Sequence, residues 1–384
     1  MKKKIITIVG ARPQIIKSSA LNRAILGPFK EKIEEIIVHT GQHYDENMSQ
    51  VFFEQMKILR PKYNLNVGSG THGEQTANMI KGIEDILLQE QPDAVIVYGD
   101  TNSTIAGALA AVKIHIPVVH IEAGLRSFNK YMPEEINRIA CDHMSTLLFT
   151  PTATGVKNLI NEGFSEEVEG LANIDSPHIY HCGDIMYDNS IYFASISDEK
   201  SEILSKLGLT AESYILCTVH RDFNTEVKGN MESIFSALIA IAEQSGLKII
   251  VPLHPRTKSK MRNKLSSVLF AKVMECPELK IIPPADFLDI IALEKNARLI
   301  ITDSGGLQKE SFFFRKPCVI LRPQTEWVEI VDNGNAIVAD AEFERIINAC
   351  TTLLTKTDFS YPDIFGDGKA AEFICEKLIN QLHS

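Results

Sequence analysis

The sequence predicts an α/β protein made of two doubly wound parallel sheets, and three observations predict it. Short β-branched runs recur along the chain, amphipathic segments of helix length lie between most of them, and the series restarts after about residue 212. Continuous apolar strands that alternate with helices form a parallel sheet covered on both faces. Two such series imply two Rossmann-like domains.

The elements follow in chain order. The start, MKKKIITIVGARPQ, has the basic opening of a secretion signal, but its apolar stretch is short and breaks at Gly10 and Arg12 without a small-residue cleavage site, so IITIV at 5–9 reads as a first strand. EIIVHT (35–40), AVIVYG (94–99), PVVHIE (117–122) and TLLFT (146–150) continue the first series. YILCTVH, KIIVPLH, LKIIPP, RLIITD and PCVILR form the second. The change falls near 184–212, where GDIMYDNS leads into the polar SISDEKSEILSKLG, and a last helix, GKAAEFICEKLINQL, follows FGDG at 365–368. The expected domains are residues 1–186, joined by 368–384, and residues 187–367.

Composition narrows the function. The chain of 384 residues is too long for one ordinary core, and 45% hydrophobic with 23% charged residues fits a globular protein. A net charge of −10 argues against a nucleic-acid partner held through phosphates. No run approaches the roughly 18 apolar residues of a membrane span. Seven cysteines stand singly, without CxxC or a Cys/His cluster, which argues for a reducing compartment and against structural zinc.

In an open parallel sheet the ligand lies beyond the carboxyl ends of the strands. The residues there are Arg12, Asp100, Glu122, His220 with Arg221, His254 and Arg256, Asp303 with Ser304, and Arg322. Loops of α/β proteins are polar in any case, but this set combines cations suited to a diphosphate (Arg12, Lys17, Arg221, Arg322) with carboxylates and a histidine suited to acid/base work. TDSGGLQKE (302–310) ends a strand and opens a helix: Asp303 or Ser304 caps it, Gly305 and Gly306 let backbone N–H groups approach an anion, and Glu310 on the next turn can accept from ribose hydroxyls. MPEEINR (132–138) starts a helix with Glu134 and Glu135 in its first turn, where both suit the dipole. GSGTHG (68–73) spells GxGxxG, but PKYNLNV before it is no convincing strand and Asp93 stands ahead of the next strand, so a dinucleotide is not expected there. HRDFN (220–224) lacks metal-ligand spacing.

GARPQIIK, HTGQHYDENMS, YGDTNST, HIEAGLRS, MPEEINR, TVHR, TDSGGLQKE and GDGKAAE occur in that order over nearly the whole chain. Together they resemble the non-hydrolysing UDP-N-acetylglucosamine 2-epimerase family. The resemblance implies a GT-B-like pair of domains with an interdomain cleft and a last helix that returns to the first domain. It implies elimination of UDP from C1 and C2 of a UDP-linked 2-acetamido sugar and re-addition with the opposite configuration at C2. Asp100, Glu122 and Glu134 are then the acid/base carboxylates, and His220 contacts the phosphates or assists the leaving group. Arg12 and Lys17 line the cleft, Ser304, Gly305 and Gly306 meet the diphosphate, Glu310 the ribose and Arg322 the phosphate region, with Arg221, His254 and Arg256 as further substrate-binding candidates. No metal or other cofactor is required. A cytoplasmic homodimer serving surface polysaccharide synthesis is the implied setting.

Departures narrow the substrate. RPQ (12–14), MPEE (132–135), QKE (308–310) and TEWVE (325–329) stand where UDP-GlcNAc enzymes typically carry RPE, WPEE, QEE and TERPE, and they look more like the branch acting on UDP-2,3-diacetamido-2,3-dideoxy-glucuronate. Lys309 either meets a more anionic sugar or points to solvent from its helix. A GT-B glycosyltransferase and a hydrolysing 2-epimerase are the alternatives.

Overall fold

The computed structural model describes residues 2–41 and 59–382, which fold as two compact units: residues 1–189 with 363–384, and residues 190–362. In the first unit the strands are β1 (Lys3–Val9), β2 (Ile33–His39), β3 (Tyr63–Asn64), β4 (Ala94–Tyr98), β5 (Val118–Ile121), β6 (Leu147–Thr150) and β7 (His178–His181). They form one parallel sheet in the order β3-β2-β1-β4-β5-β6-β7. β1, β4, β5 and β6 are almost wholly buried along their length, as strands covered on both faces must be. One face packs Ile6, Ile8, Val95 and Val97 against Met79 and Ile83 of helix His72–Glu90 and the alanines of helix Asn102–Lys113.

The second unit holds β8 (Tyr214–Thr218), β9 (Lys248–Pro252), β10 (Leu279–Ile282), β11 (Leu299–Thr302), β12 (Cys318–Ile320) and β13 (Ala336–Val338), parallel in the order β10-β9-β8-β11-β12-β13. Its core joins Ile215, Cys217, Val251 and Ile301 to Phe235 and Leu238 of helix Lys228–Ser245.

The ten strands expected from the sequence all form. β3, β7 and β13 come in addition: they are short edge strands, two to four residues long, and carry too little apolar sequence to announce themselves. The strand order reverses between β1 and β4 in the first sheet and between β8 and β11 in the second. At such a switch point the loops leaving adjacent strands turn to opposite faces and open a crevice between them.

Helix Ala370–Gln381 belongs to the first unit and packs against helix Arg12–Leu26. Its entry is fixed by Asp188, whose carboxylate accepts from Ala370 N (3.1 Å) and Ala371 N (2.8 Å). Just before it, Gly183 crosses Phe365 at φ +82°, where an added Cβ would stand 2.7 Å from the Phe365 carbonyl oxygen.

Candidate active site

In the first unit the switch point gathers the predicted carboxylates. β1 ends at Gly10 and Ala11, and buried Gln14 ties that turn together: its Oε1 accepts from Gly10 N (2.9 Å) and Ala11 N (3.1 Å), while its Nε2 donates to the Tyr98 carbonyl (2.9 Å) and Thr104 Oγ1 (3.0 Å). The turn after β1 is thereby fastened to the end of β4. Arg12 opens the following helix, exposed, and Lys17 lies farther along it with its ammonium paired to Glu122.

Glu122 leaves β5 at φ +74°, a left-handed conformation that a non-glycine residue keeps only when its surroundings impose it. Gly99, at φ +62°, leaves open the space into which that pair reaches, since a Cβ there would lie 3.2 Å from Glu122 Oε2 and 3.3 Å from Lys17 Nζ. Asp100 follows at once, and Arg138 Nη2 donates to its Oδ2 at 2.6 Å. Burial pushes the Asp100 carboxyl above its ordinary range; Arg138 and Lys17 oppose that, and the charges of Glu122 and Glu134 add to it. Glu134 is exposed at the start of helix Pro133–Asp142. Glu122 and Glu134 therefore lie near enough to act on the charge of Asp100, with Lys17 paired to Glu122 and Arg138 to Asp100.

In the second unit the reversal between β8 and β11 brings His220 and Arg221 to Asp303. Asp303 is fully buried and accepts from His220 N (3.0 Å), Arg221 N (3.0 Å) and Asn224 Nδ2 (3.0 Å), with His220 Nδ1 3.0 Å away. Burial opposes its charge, yet these donors hold its carboxylate below the usual range. Asp303 organises the His220 turn, and Ser304 alone caps helix Gly305–Phe313 by accepting from Leu307 N. A Cβ on Gly305 or Gly306 would meet nothing of this unit nearer than 3.6 Å, so their own packing does not demand glycine and the helix N-terminus stays open to an anion. Arg322 lies beside Gly305, held by both oxygens of Glu326 (2.9 and 2.7 Å).

His220 and His254 line a pocket of about 220 Å³ together with Thr218, Pro252, Ile290 and Leu307. Glu310, half-buried, lies near Glu294, whose acid burial and the Glu310 charge push well above its ordinary value. The Arg256 side chain and the HTGQHYDENMS motif beyond Gly41 lie outside the described residues. Among the described residues no cluster of three His, Cys, Asp or Glu could hold a metal ion, and no helix is long and apolar enough to cross a membrane.

A family model described as UDP-N-acetylglucosamine 2-epimerase matches residues 29–379. The chain belongs to the UDP-N-acetylglucosamine 2-epimerase family. This epimerase-family chain is 47% identical to a UDP-N-acetylglucosamine 2-epimerase homolog of Methanococcus maripaludis, covering 98% of this chain and 99% of the relative. It is 45% identical to the UDP-2,3-diacetamido-2,3-dideoxy-D-glucuronate 2-epimerase of Pseudomonas aeruginosa, with 98% and 99% covered. The crystal structure of Methanocaldococcus jannaschii UDP-GlcNAc 2-epimerase in complex with UDP-GlcNAc and UDP matches with a TM-score of 0.82 at 40% identity, covering 98% of this chain and 99% of that one. The fold is the GT-B-like one of these epimerases.

Two sequence departures take on a different meaning in this family member. Lys309 is only 3% exposed and lies over the Trp327 ring at 4.2 Å, so it does not point to solvent from its helix. Gln14 is a buried fastening of the β1 turn. Glu135, read as a partner of Glu134 in the helix dipole, instead accepts from Ser127 N, Ser127 Oγ and Phe128 N, each at 2.9 Å, and fixes the loop after Glu122. Arg138, His120 and Asp142 lie outside the candidates that strand ends and motifs point to. His120 left a faint signal as the one titratable residue inside the apolar run VVHI; Asp142, far from it in sequence, left none.

Proposed function

We propose that this chain inverts C2 of a UDP-linked 2-acetamido sugar by eliminating UDP and adding it back. The observation that carries the reading is the meeting of Asp100, paired to Arg138, with Glu122, paired to Lys17, beside the switch point of the first sheet and within reach of the Glu134 charge. A C2 proton of a pyranose has no adjacent carbonyl, so direct abstraction would be too slow. In the elimination a carboxylate takes the C2 proton, the C–H electrons form the C1–C2 double bond, and the C1–O electrons leave with UDP. On return UDP oxygen bonds to C1 and a carboxylic acid delivers a proton to the other face of C2. A carboxyl raised by burial yet steadied by cations suits both directions of that proton transfer. The second unit supplies the grip on the departing diphosphate: the open helix start at Ser304, Gly305 and Gly306, with Arg322 and the His220–Arg221 turn. Glu310 is assigned to the ribose, and Arg12, Lys17, His254 and Arg256 to substrate binding.

The substrate is either UDP-GlcNAc or UDP-2,3-diacetamido-2,3-dideoxy-glucuronate, the two substrate classes named for the relatives. Offering each separately in D₂O tests the reading. The true substrate is recovered at equilibrium with deuterium at C2 and inverted partner present, without an acceptor and without stoichiometric free UDP. Transfer that needs an acceptor would instead make it a glycosyltransferase, and net UDP release a hydrolysing enzyme. A cytoplasmic homodimer is proposed with it, in keeping with seven free cysteines; light scattering on the purified protein tests the dimer.

A further inference from the structure

Beneath the carboxylates runs a set of buried charges that the reaction as proposed does not use. His120 on β5 is fully buried, with Nδ1 2.7 Å from Asp142 Oδ1 and Nε2 2.8 Å from the Gly99 carbonyl oxygen. Both neighbours can accept, which calls for a proton on both ring nitrogens. The other oxygen of Asp142 lies 2.7 Å from Arg126 Nη1 and accepts from Gly124 N at 3.1 Å. Arg126 in turn donates to both oxygens of Glu162, at 2.7 and 2.6 Å. Asp142 offsets the charge of His120, Glu162 and Asp142 offset that of Arg126, and the thiol of Cys141 also faces the imidazole.

What this set touches is specific. Gly99 and Gly124 sit at φ +62° and +77°, one residue before Asp100 and two after Glu122. They are the joints about which those side chains would swing, because glycine alone moves cheaply through that region. Asp142 also ends the helix that carries Glu134 and Arg138. We propose that His120 and Asp142 form one positioning clamp that holds both glycine joints and so sets where Asp100 and Glu122 point. The inference rests on the epimerase reading of those carboxylates. A pair serving stability alone would be replaceable by other buried groups at a cost in stability and not in turnover; a clamp would not, since a displacement of about 1 Å in a reacting group costs on the order of 10²-fold in rate.

Two variants separate the halves of the clamp. His120→Asn can still donate to Asp142 but lets go of Gly99, and His120→Gln can reach Gly99 but lets go of Asp142. For each folded variant kcat is expected to fall roughly 10²-fold, with KM and the affinity for UDP within about threefold of wild type and deuterium entry at C2 slowed in step with kcat. A lowered melting temperature with kcat within about twofold of wild type in both would overturn the clamp. Should neither variant fold, histidine ¹⁵N spectra of the wild-type protein decide: Nε2 of His120 is expected to keep its proton from about pH 6 to 9, and an unprotonated Nε2 overturns the proposal. Wild-type protein inactive on both UDP-sugars would sink the epimerase reading and leave the spectra to judge the clamp; active wild type with active variants would sink the clamp alone.

Discussion

Asp100 and Arg138 meet at 2.6 Å where burial works against the carboxylate and prevails, and the arginine is the largest influence opposing it. If Asp100 must be ionised to take a proton, removing the cation raises its pKa further. Arg138→Gln should therefore move the acid limb of the kcat–pH profile to higher pH, and an unmoved limb would detach Arg138 from the proton transfer. Asp100→Asn should keep UDP affinity and lose roughly 10²- to 10⁴-fold in kcat, since the charge matters most where the transition state develops; single-turnover kinetics with UDP titration checks both halves. Glu122 adds a backbone argument. Its conformation at φ +74° costs on the order of 1 kcal/mol or more, a cost that persists where a side chain must be aimed.

At the scale of strands and turns, each crevice depends on one buried polar side chain that joins the two strand exits across the reversal. Gln14 joins β1 to β4, and Asp303 joins β11 to the turn after β8. Gln14→Leu would orphan two backbone N–H groups and should cost roughly 2–5 kcal/mol in chemical denaturation, whereas Gln14→Glu, which still accepts from both, should cost less. Asp303→Asn should weaken UDP binding by roughly tenfold or more in calorimetry through disorder of the His220 turn, without touching the first unit's carboxylates. These fastenings also mark how far the sequence could be read. The apolar runs announced the strands, and the charged residue at each run's end announced the candidates, because both signals are local. The partners of those residues were not legible: Arg138 to Asp100, Glu135 to Ser127 and His120 to Asp142 are pairings across separate elements, and one chain without structure carries no sign of them. Lys309 shows the same limit, since nothing local in QKE says that its ammonium is buried over the Trp327 ring and not directed to solvent.

Across the molecule, the first unit is completed by a helix encoded after the whole of the second. Asp188 receives that helix, and burial together with repulsion from Asp184 lifts its carboxyl to about 6 despite the two backbone donors. An acid whose folded-state pKa lies above its unfolded value adds stability that is fully present below the unfolded pKa and is lost as pH rises through the folded one. Melting curves from about pH 4.5 to 7.5 should show wild type losing ground to Asp188→Asn as pH rises, by on the order of 1–3 kcal/mol; parallel curves would remove Asp188 from the balance. The same arrangement bears on how the protein is made. While the ribosome is still reading the second unit, the face of helix Arg12–Leu26 that helix Ala370–Gln381 will cover has no mate within its own chain. The first-born half must therefore wait, partly bare, for the last-born helix, and a chaperone that shields that face during synthesis would raise the yield of folded enzyme.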